Sequence, residues 1–150
     1  MGRTIATATL VAGILDIVFA ICLSIYFGRD PMGMLRYVAS GPFPPATGWG
    51  ATGSILGLMV HFTLMAIMAA AFMLGIERWP ALLSNPVAAG VAYGLLTYVV
   101  MNWVVVPLRF NVPLPPSALS TATQLFAHIV LVGLPIALIA AKALRVRSLA

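Results

Sequence analysis

Charge is what this chain has least of. Only eight of its 150 residues are Lys or Arg and three are Asp or Glu, 7% in all, where a water-soluble domain carries roughly 25%. So few charges cannot wet the surface of a globule of this size, and lipid must be the solvent for most of the chain. Asp16, Asp30 and Glu77 are the only acidic side chains, which leaves acid–base chemistry almost without candidates. A single cysteine, Cys22, excludes an internal disulfide and any C-x-x-C pair. Lying in an apolar run, it reads as a small buried hydrophobe. G-x-G-x-x-G, P-loop, G-x-S-x-G and H-E-x-x-H motifs and a paired-carboxylate set are all missing. No catalytic residue is assigned, and the expected protein is not an enzyme. The net charge of +5 does not point to nucleic acid, because the basic residues are scattered among apolar runs and form no stripe. Lys142, Arg145 and Arg147 crowd one end, which suits anionic headgroups of a bilayer.

Apolar length is what the chain has instead. Hydrophobic residues make up 62%, and they collect in runs long enough to cross a bilayer, for which about 20 residues suffice. Four spans are expected, at roughly 5–27, 52–76, 86–106 and 119–141. The separators "GRDPMGMLRYVASGPFPPATGWG", "ERWPALLSN" and "PLRFNVPLPPS" are rich in proline, glycine and polar residues, the chemistry of loops. Pro86 suits the first turn of a helix, and Ser117 and Ser120 are candidate N-caps for the fourth. The expected architecture is all-α: one transmembrane domain over residues 1–150, folded as an antiparallel four-helix bundle. "PMGMLRYVA" in the first outer loop is expected to be a short interfacial helix. Tyr26, Tyr37, Trp49, Trp79 and Trp103 fall where aromatic rings settle at headgroup level.

Orientation follows the basic residues near the span ends. With both termini cytoplasmic, Arg3, Arg78, Lys142, Arg145 and Arg147 lie inside, and Arg29, Arg36 and Arg109 outside. The first run is read as a retained span. It is too long for the apolar core of a leader, is interrupted by Asp16, and has no A-x-A site just beyond it.

Each apolar run carries one strong polar exception: Asp16, His61, Asn102 and His128, with Gln124 a turn before the last. An Asp at a helix centre costs about 2.5–3.5 kcal/mol on insertion scales, so such groups face protein or water. Their neighbours fit that placement. Thr9, Ala12, Gly13, Asp16 and Ala20 share a face of the first helix, and Gly53, Gly57 and His61 one of the second. Gly90, Gly94, Tyr98 and Asn102 recur every four residues in the third, and Thr121, Gln124, His128 and Pro135 share a face of the fourth. Small residues mark faces where membrane helices approach closely. Both histidines come roughly 13 Å past the start of their spans at 1.5 Å per residue. One cluster in the outer half of the bundle is expected, with His61 meeting Asp16, Asn102 or His128.

Four readings of that cluster remain open. The plainest is interhelical hydrogen bonding that fixes packing, at about 0.6 kcal/mol per bond, with Pro107, Pro135 and the tyrosines serving as kinks and packing. The second is a site for a proton or small polar ligand, an imidazolium held beside Asp16. The third is a b-type haem between His61 and His128, with Gly57 and Gly133 leaving room for the macrocycle. The fourth is a metal ion on His61, His128 and Asp16. The bilayer is the expected partner, with a homo-oligomer or the accessory subunit of a larger membrane complex as further possibilities.

"GILDIVFA" (Gly13 to Ala20), "HF" at His61–Phe62, "YGLLTYVVMNWVVVPL" (Tyr93 to Leu108) and "AHIVLVGLPIAL" (Ala127 to Leu138) resemble a family of small four-helix bacterial inner-membrane proteins. More loosely, the chain is similar to the YagU-type domain of unknown function. The resemblance covers all four spans and implies an inner-membrane address, but it assigns no activity. Within it, the positions filled by Asp16, His61, Asn102 and His128 belong to the pattern.

Overall fold

The computed structural model describes residues 1–148, with side chains through Arg145, so the Arg147 side chain counted above lies outside the described residues. Helix dominates, and no strand occurs among the described residues. Helix α1 covers Gly2–Tyr26, α2 Pro31–Ala39 and α3 Gly50–Arg78. Helix α4 joins Pro86–Val99, a π-helical stretch Val100–Val105 and Val106–Phe110. Helix α5 joins Ala118–Phe126, a π-helical stretch Ala127–Gly133 and Leu134–Ser148. Short 3-10 turns at Pro44–Gly48 and Pro80–Ser84 punctuate two of the connections.

Four of these helices, α1, α3, α4 and α5, are long and apolar enough to cross a membrane, and the chain is a multi-pass membrane protein. They begin and end close to the expected boundaries, and local chemistry explains where. Asn85 accepts from the Ala88 amide with Pro86 in the first turn of α4, and Ser117, not Ser120, caps α5 by accepting from the Ser120 amide. Both π stretches lie just before a proline. Pro107 and Pro135 have no N–H, and their rings crowd the carbonyls four residues back, at Trp103 and Leu131. Widening the preceding turn relieves that crowding without ending the helix. The kinks expected at these prolines are therefore π turns.

Helix α1 packs between α3 and α5, and α4 lies on the other side of α5. Glycines set the closest approaches. A Cβ on Gly133 would overlap the Gly90 carbonyl, and one on Gly94 would meet the backbone of His128 and Ile129. Toward one end, Ala8, Ala12, Met65, Ala69, Phe72, Met73, Ile76, Val132, Ile136 and Ala140 form the core. There α3 and α4 are tied by the Tyr93 hydroxyl, which donates to the Met68 carbonyl at 2.7 Å, and by the Tyr93 and Phe72 rings, 5.0 Å apart.

At the other end α2 packs against α3. The Gly53–Gly57 row, read above as a seam for a neighbouring span, instead receives the loop segment. A Cβ on Gly57 would overlap the Leu35 carbonyl, and one on Gly53 the Ala46 carbonyl. Ala39 and Ala46 are completely buried as a result. The second revision concerns Cys22, which is exposed on the outer face of α1 and not buried.

Asp30 starts α2. Its carboxylate accepts from the Met32 and Gly33 amides at 2.9 and 2.8 Å and pairs with Arg36 at 3.0 Å. Desolvation opposes its ionisation, but the two amides and the guanidinium together outweigh it and hold the carboxyl below the usual carboxylate range. A carboxyl acidified by folding contributes stability above its unfolded pKa, about 4, and loses that contribution as pH falls through the folded value. Amide-exchange protection of α2 should therefore be level from neutral pH down to about 4 and fall below it. Asp30→Asn should start lower and show no such step; an identical step in the variant would remove Asp30 as its cause.

Candidate functional site

The site begins with a carbonyl. The Nε2 of His61 lies 3.0 Å from the Gly13 carbonyl oxygen of α1. A carbonyl only accepts, so Nε2 carries a proton and donates. The other ring nitrogen, Nδ1, faces Asp16 Oδ2 at 3.8 Å. Both side chains are mostly hidden, His61 8% and Asp16 19% exposed. Gly13 leaves room here for the Phe62 ring, which lies 2.6 Å from where a Cβ would stand. The contact to Gly13 is the kind of bond that lets a polar side chain live in hydrocarbon, and it explains why His61 is tolerated in α3.

His128 is fixed in the same manner by a different atom. Its Nδ1 is 2.9 Å from the Gln124 carbonyl at the entry to the π stretch of α5, so Nδ1 donates and Nε2 is left to gain or lose a proton. The Tyr98 ring lies edge-on to this imidazole at 6.0 Å. Asp16 is near enough to feel the charge of both histidines. Three spanning helices thus bring one carboxyl and two imidazoles together, and each imidazole has one nitrogen committed to a backbone carbonyl.

Asn102 and Gln124 do not join them. Asn102 Nδ2 donates to the Tyr98 carbonyl of its own helix at 3.3 Å. Among the described residues no hydrogen bond links the Asn102 or Gln124 side chain to Asp16 or to either imidazole; Gln124 takes part through its backbone alone. A polar side chain one helical turn from its own carbonyl needs no interhelical partner, which is why spacing overestimated the cluster.

Neither cofactor reading fits. The room expected beside Gly57 and Gly133 is filled by the backbones of Leu35, Gly90 and Gly94, and His61 Nε2 is held by Gly13. Among the described residues no three His, Cys, Asp or Glu side chains are disposed as metal ligands, so Asp16, His61 and His128 adjoin without forming a ligand set.

Two further residues stand out: Tyr98, placed by its spacing on the polar face of α4 but not named for the cluster, and Ser24, which was not singled out from the sequence. Tyr98, 5% exposed, walls the His128 side and accepts from Trp103 Nε1 at 3.4 Å. Ser24, 6% exposed, has a hydroxyl with no hydrogen-bond partner among the described residues. Its spacing of eight from Asp16, on the same helical face, was the available signal.

Fold and site together define a multi-pass helical membrane protein with an acid–imidazole contact between spans. Compared with protein-family models, curated proteins and solved structures, the chain matches none of them.

Proposed function

We propose that this is a non-enzymatic, four-span antiparallel protein of the bacterial inner membrane whose Asp16–His61–His128 cluster binds a proton. One observation carries the reading. With Nε2 of His61 donating to Gly13, a neutral imidazole turns a lone pair at Asp16. A carboxylate facing a lone pair is repulsive, so the pair is held by one shared proton, either as acid and neutral imidazole or as carboxylate and imidazolium. At 3.8 Å the contact is longer than a hydrogen bond, so a small approach or one water completes it.

The antiparallel course is supported by pairings that run in opposite directions: Gly90 meets Leu134, while Gly94 meets His128 and Ile129. Cytoplasmic termini are supported by the excess of basic residues on that side, and the inner-membrane address by the resemblance of the four spans. Helix α2 would then sit on the outer side, at the interface end of α3. The rival reading, hydrogen-bond packing alone, is favoured by the same His61–Gly13 bond, which joins α3 to α1 whatever the proton does.

Nitrogen NMR of histidine-labelled protein in lipid separates the two, since there are only two histidines to assign. The expected result is that the His61 Nδ1 signal is that of a nitrogen sharing a proton with Asp16 and that Asp16→Asn moves it. Ring nitrogens indifferent to both pH and Asp16→Asn would leave only packing.

A further inference from the structure

The four spans do not close evenly. α3 and α4 are tied near Tyr93 and Met68, while at the α2 end the gap between them is bridged by α2 itself. Each end of α2 is fastened to a different span. Ser54 of α3 donates to the Met32 carbonyl at 3.0 Å. Arg109 near the end of α4 reaches across with both arms of its guanidinium, Nη2 to the Ser40 carbonyl at 2.7 Å and Nε to the Gly41 carbonyl. Beside it the Tyr37 and Phe110 rings stack at 4.3 Å. The connection that carries α2 is flanked by Gly28 and Gly50, with φ of +64° and +54°, a backbone region few other residues enter and one that tolerates rotation.

Near the end of α1 that leads into α2 lies an unexplained polar group. Ser24 is deeply buried, its hydroxyl lacks a partner among the described residues, and α1 touches α2. A buried hydroxyl in a native protein is bonded to protein or to water. Ser24 is on the Asp16 face of α1, roughly 12 Å from it along the helix toward the α2 end. In the opposite direction the Thr9 hydroxyl also lacks a partner among the described residues, but there Ala8, Ala12, Met65 and Ala69 pack into the apolar core.

We propose that Ser24 lines a hydrated route to Asp16, and that α2 is a hinged gate over this route with Arg109 as its latch. The species admitted are water and the proton it carries. This rests on the proton-binding reading for its purpose but not for its geometry. Arg109 is a positioning residue: its hydrogen bonds go to the Ser40 and Gly41 carbonyls that end α2, and releasing it frees one side of the gate while Ser54 holds the other.

The test uses the full chain in lipid nanodiscs with Cys22→Ala, so that Ser24→Cys is the single thiol. A small cationic methanethiosulfonate is added, and its attachment is followed by mass spectrometry. With Arg109 present the thiol should react slowly; with Arg109→Ala it should react at least about tenfold faster, a change equivalent to 1.4 kcal/mol in the opening equilibrium. Arg109→Lys should fall between, since a lysine cannot fork to two carbonyls. Ser54→Ala, which loosens the other fastening without removing a charge, should act in the same direction, with the thermal midpoint of each variant confirming a folded bundle. Equal rates in all four proteins would overturn the gate, and a thiol inert even in Arg109→Ala and Ser54→Ala would overturn the route. Labelling reads α2 whether or not Asp16 exchanges a proton. Fast labelling on unlatching together with a silent Asp16 in the nitrogen NMR would keep the gate and discard the proton.

Discussion

Gly133→Ala is expected to be among the most destabilising single-methyl additions in this protein. A Cβ there overlaps the Gly90 carbonyl and lies 2.7 Å from the Gly94 nitrogen and 2.9 Å from its Cα. All three are backbone atoms of α4, and a helix backbone cannot swing aside as a side chain can. The methyl must therefore push α4 and α5 apart, at a cost typical of overpacked interiors, about 1–3 kcal/mol, and in the membrane no hydrophobic force restores the contact because lipid is as apolar as the interface. Two other glycines calibrate the effect. At Gly13 the obstacle is the Phe62 ring, which can rotate, so Gly13→Ala should cost less. At Gly75 nothing lies within 4 Å, and alanine there should stabilise α3 by up to about 1 kcal/mol from helix propensity alone. Reversible unfolding in mixed micelles gives the three values. A Gly133→Ala stability equal to that of Gly75→Ala would mean that α4 and α5 do not approach as described.

That prediction was half visible beforehand. Gly90 and Gly94 at a spacing of four mark a face of close approach, and α4 does meet α5 there. The same rule misassigned Gly53 and Gly57, because spacing announces that something comes close without saying what. Here it is the backbone of Leu35, from a loop helix that sequence placed flat at the membrane surface for its aromatic and basic residues. The membrane-length helices, their caps and their proline-linked distortions were legible because they depend on local chemistry: about 20 apolar residues, an oxygen at the N-cap, a missing N–H. Asp16, His61 and His128 were legible as a group because ionisable side chains have nowhere else to go in hydrocarbon. Asn102 was drawn in by the same logic, but its amide donates to a carbonyl of its own helix. Cys22 could not be placed at all by polarity, because a thiol is indifferent to whether lipid or protein surrounds it.

Size is what separates a shared proton from simple glue. Hydrogen bonds between spans average about 0.6 kcal/mol and reach about 1.7 in double-mutant cycles. If the Asp16–His61 contact were of that kind, Asp16→Asn, His61→Gln and their combination should add to within such a value, at any pH. A proton-sharing pair behaves differently. His61→Gln strands a carboxyl that has lost its proton partner, and removing one member of a buried ion pair costs about 3–5 kcal/mol. Asp16→Asn leaves an imidazole still donating to Gly13 and should cost less. With both replaced no charge is left to strand, so the double variant should recover much of the His61→Gln loss. The coupling should exceed about 2 kcal/mol, more than membrane hydrogen bonds supply, and it should vary with pH, because the stranded carboxyl can escape by taking a proton from solvent. His128→Gln provides the comparison. It also removes an imidazole near Asp16 but one whose hydrogen bond stays within α5, so its coupling to Asp16 should be smaller and purely electrostatic. Equal, pH-independent couplings for the two histidines would make the cluster packing and nothing more.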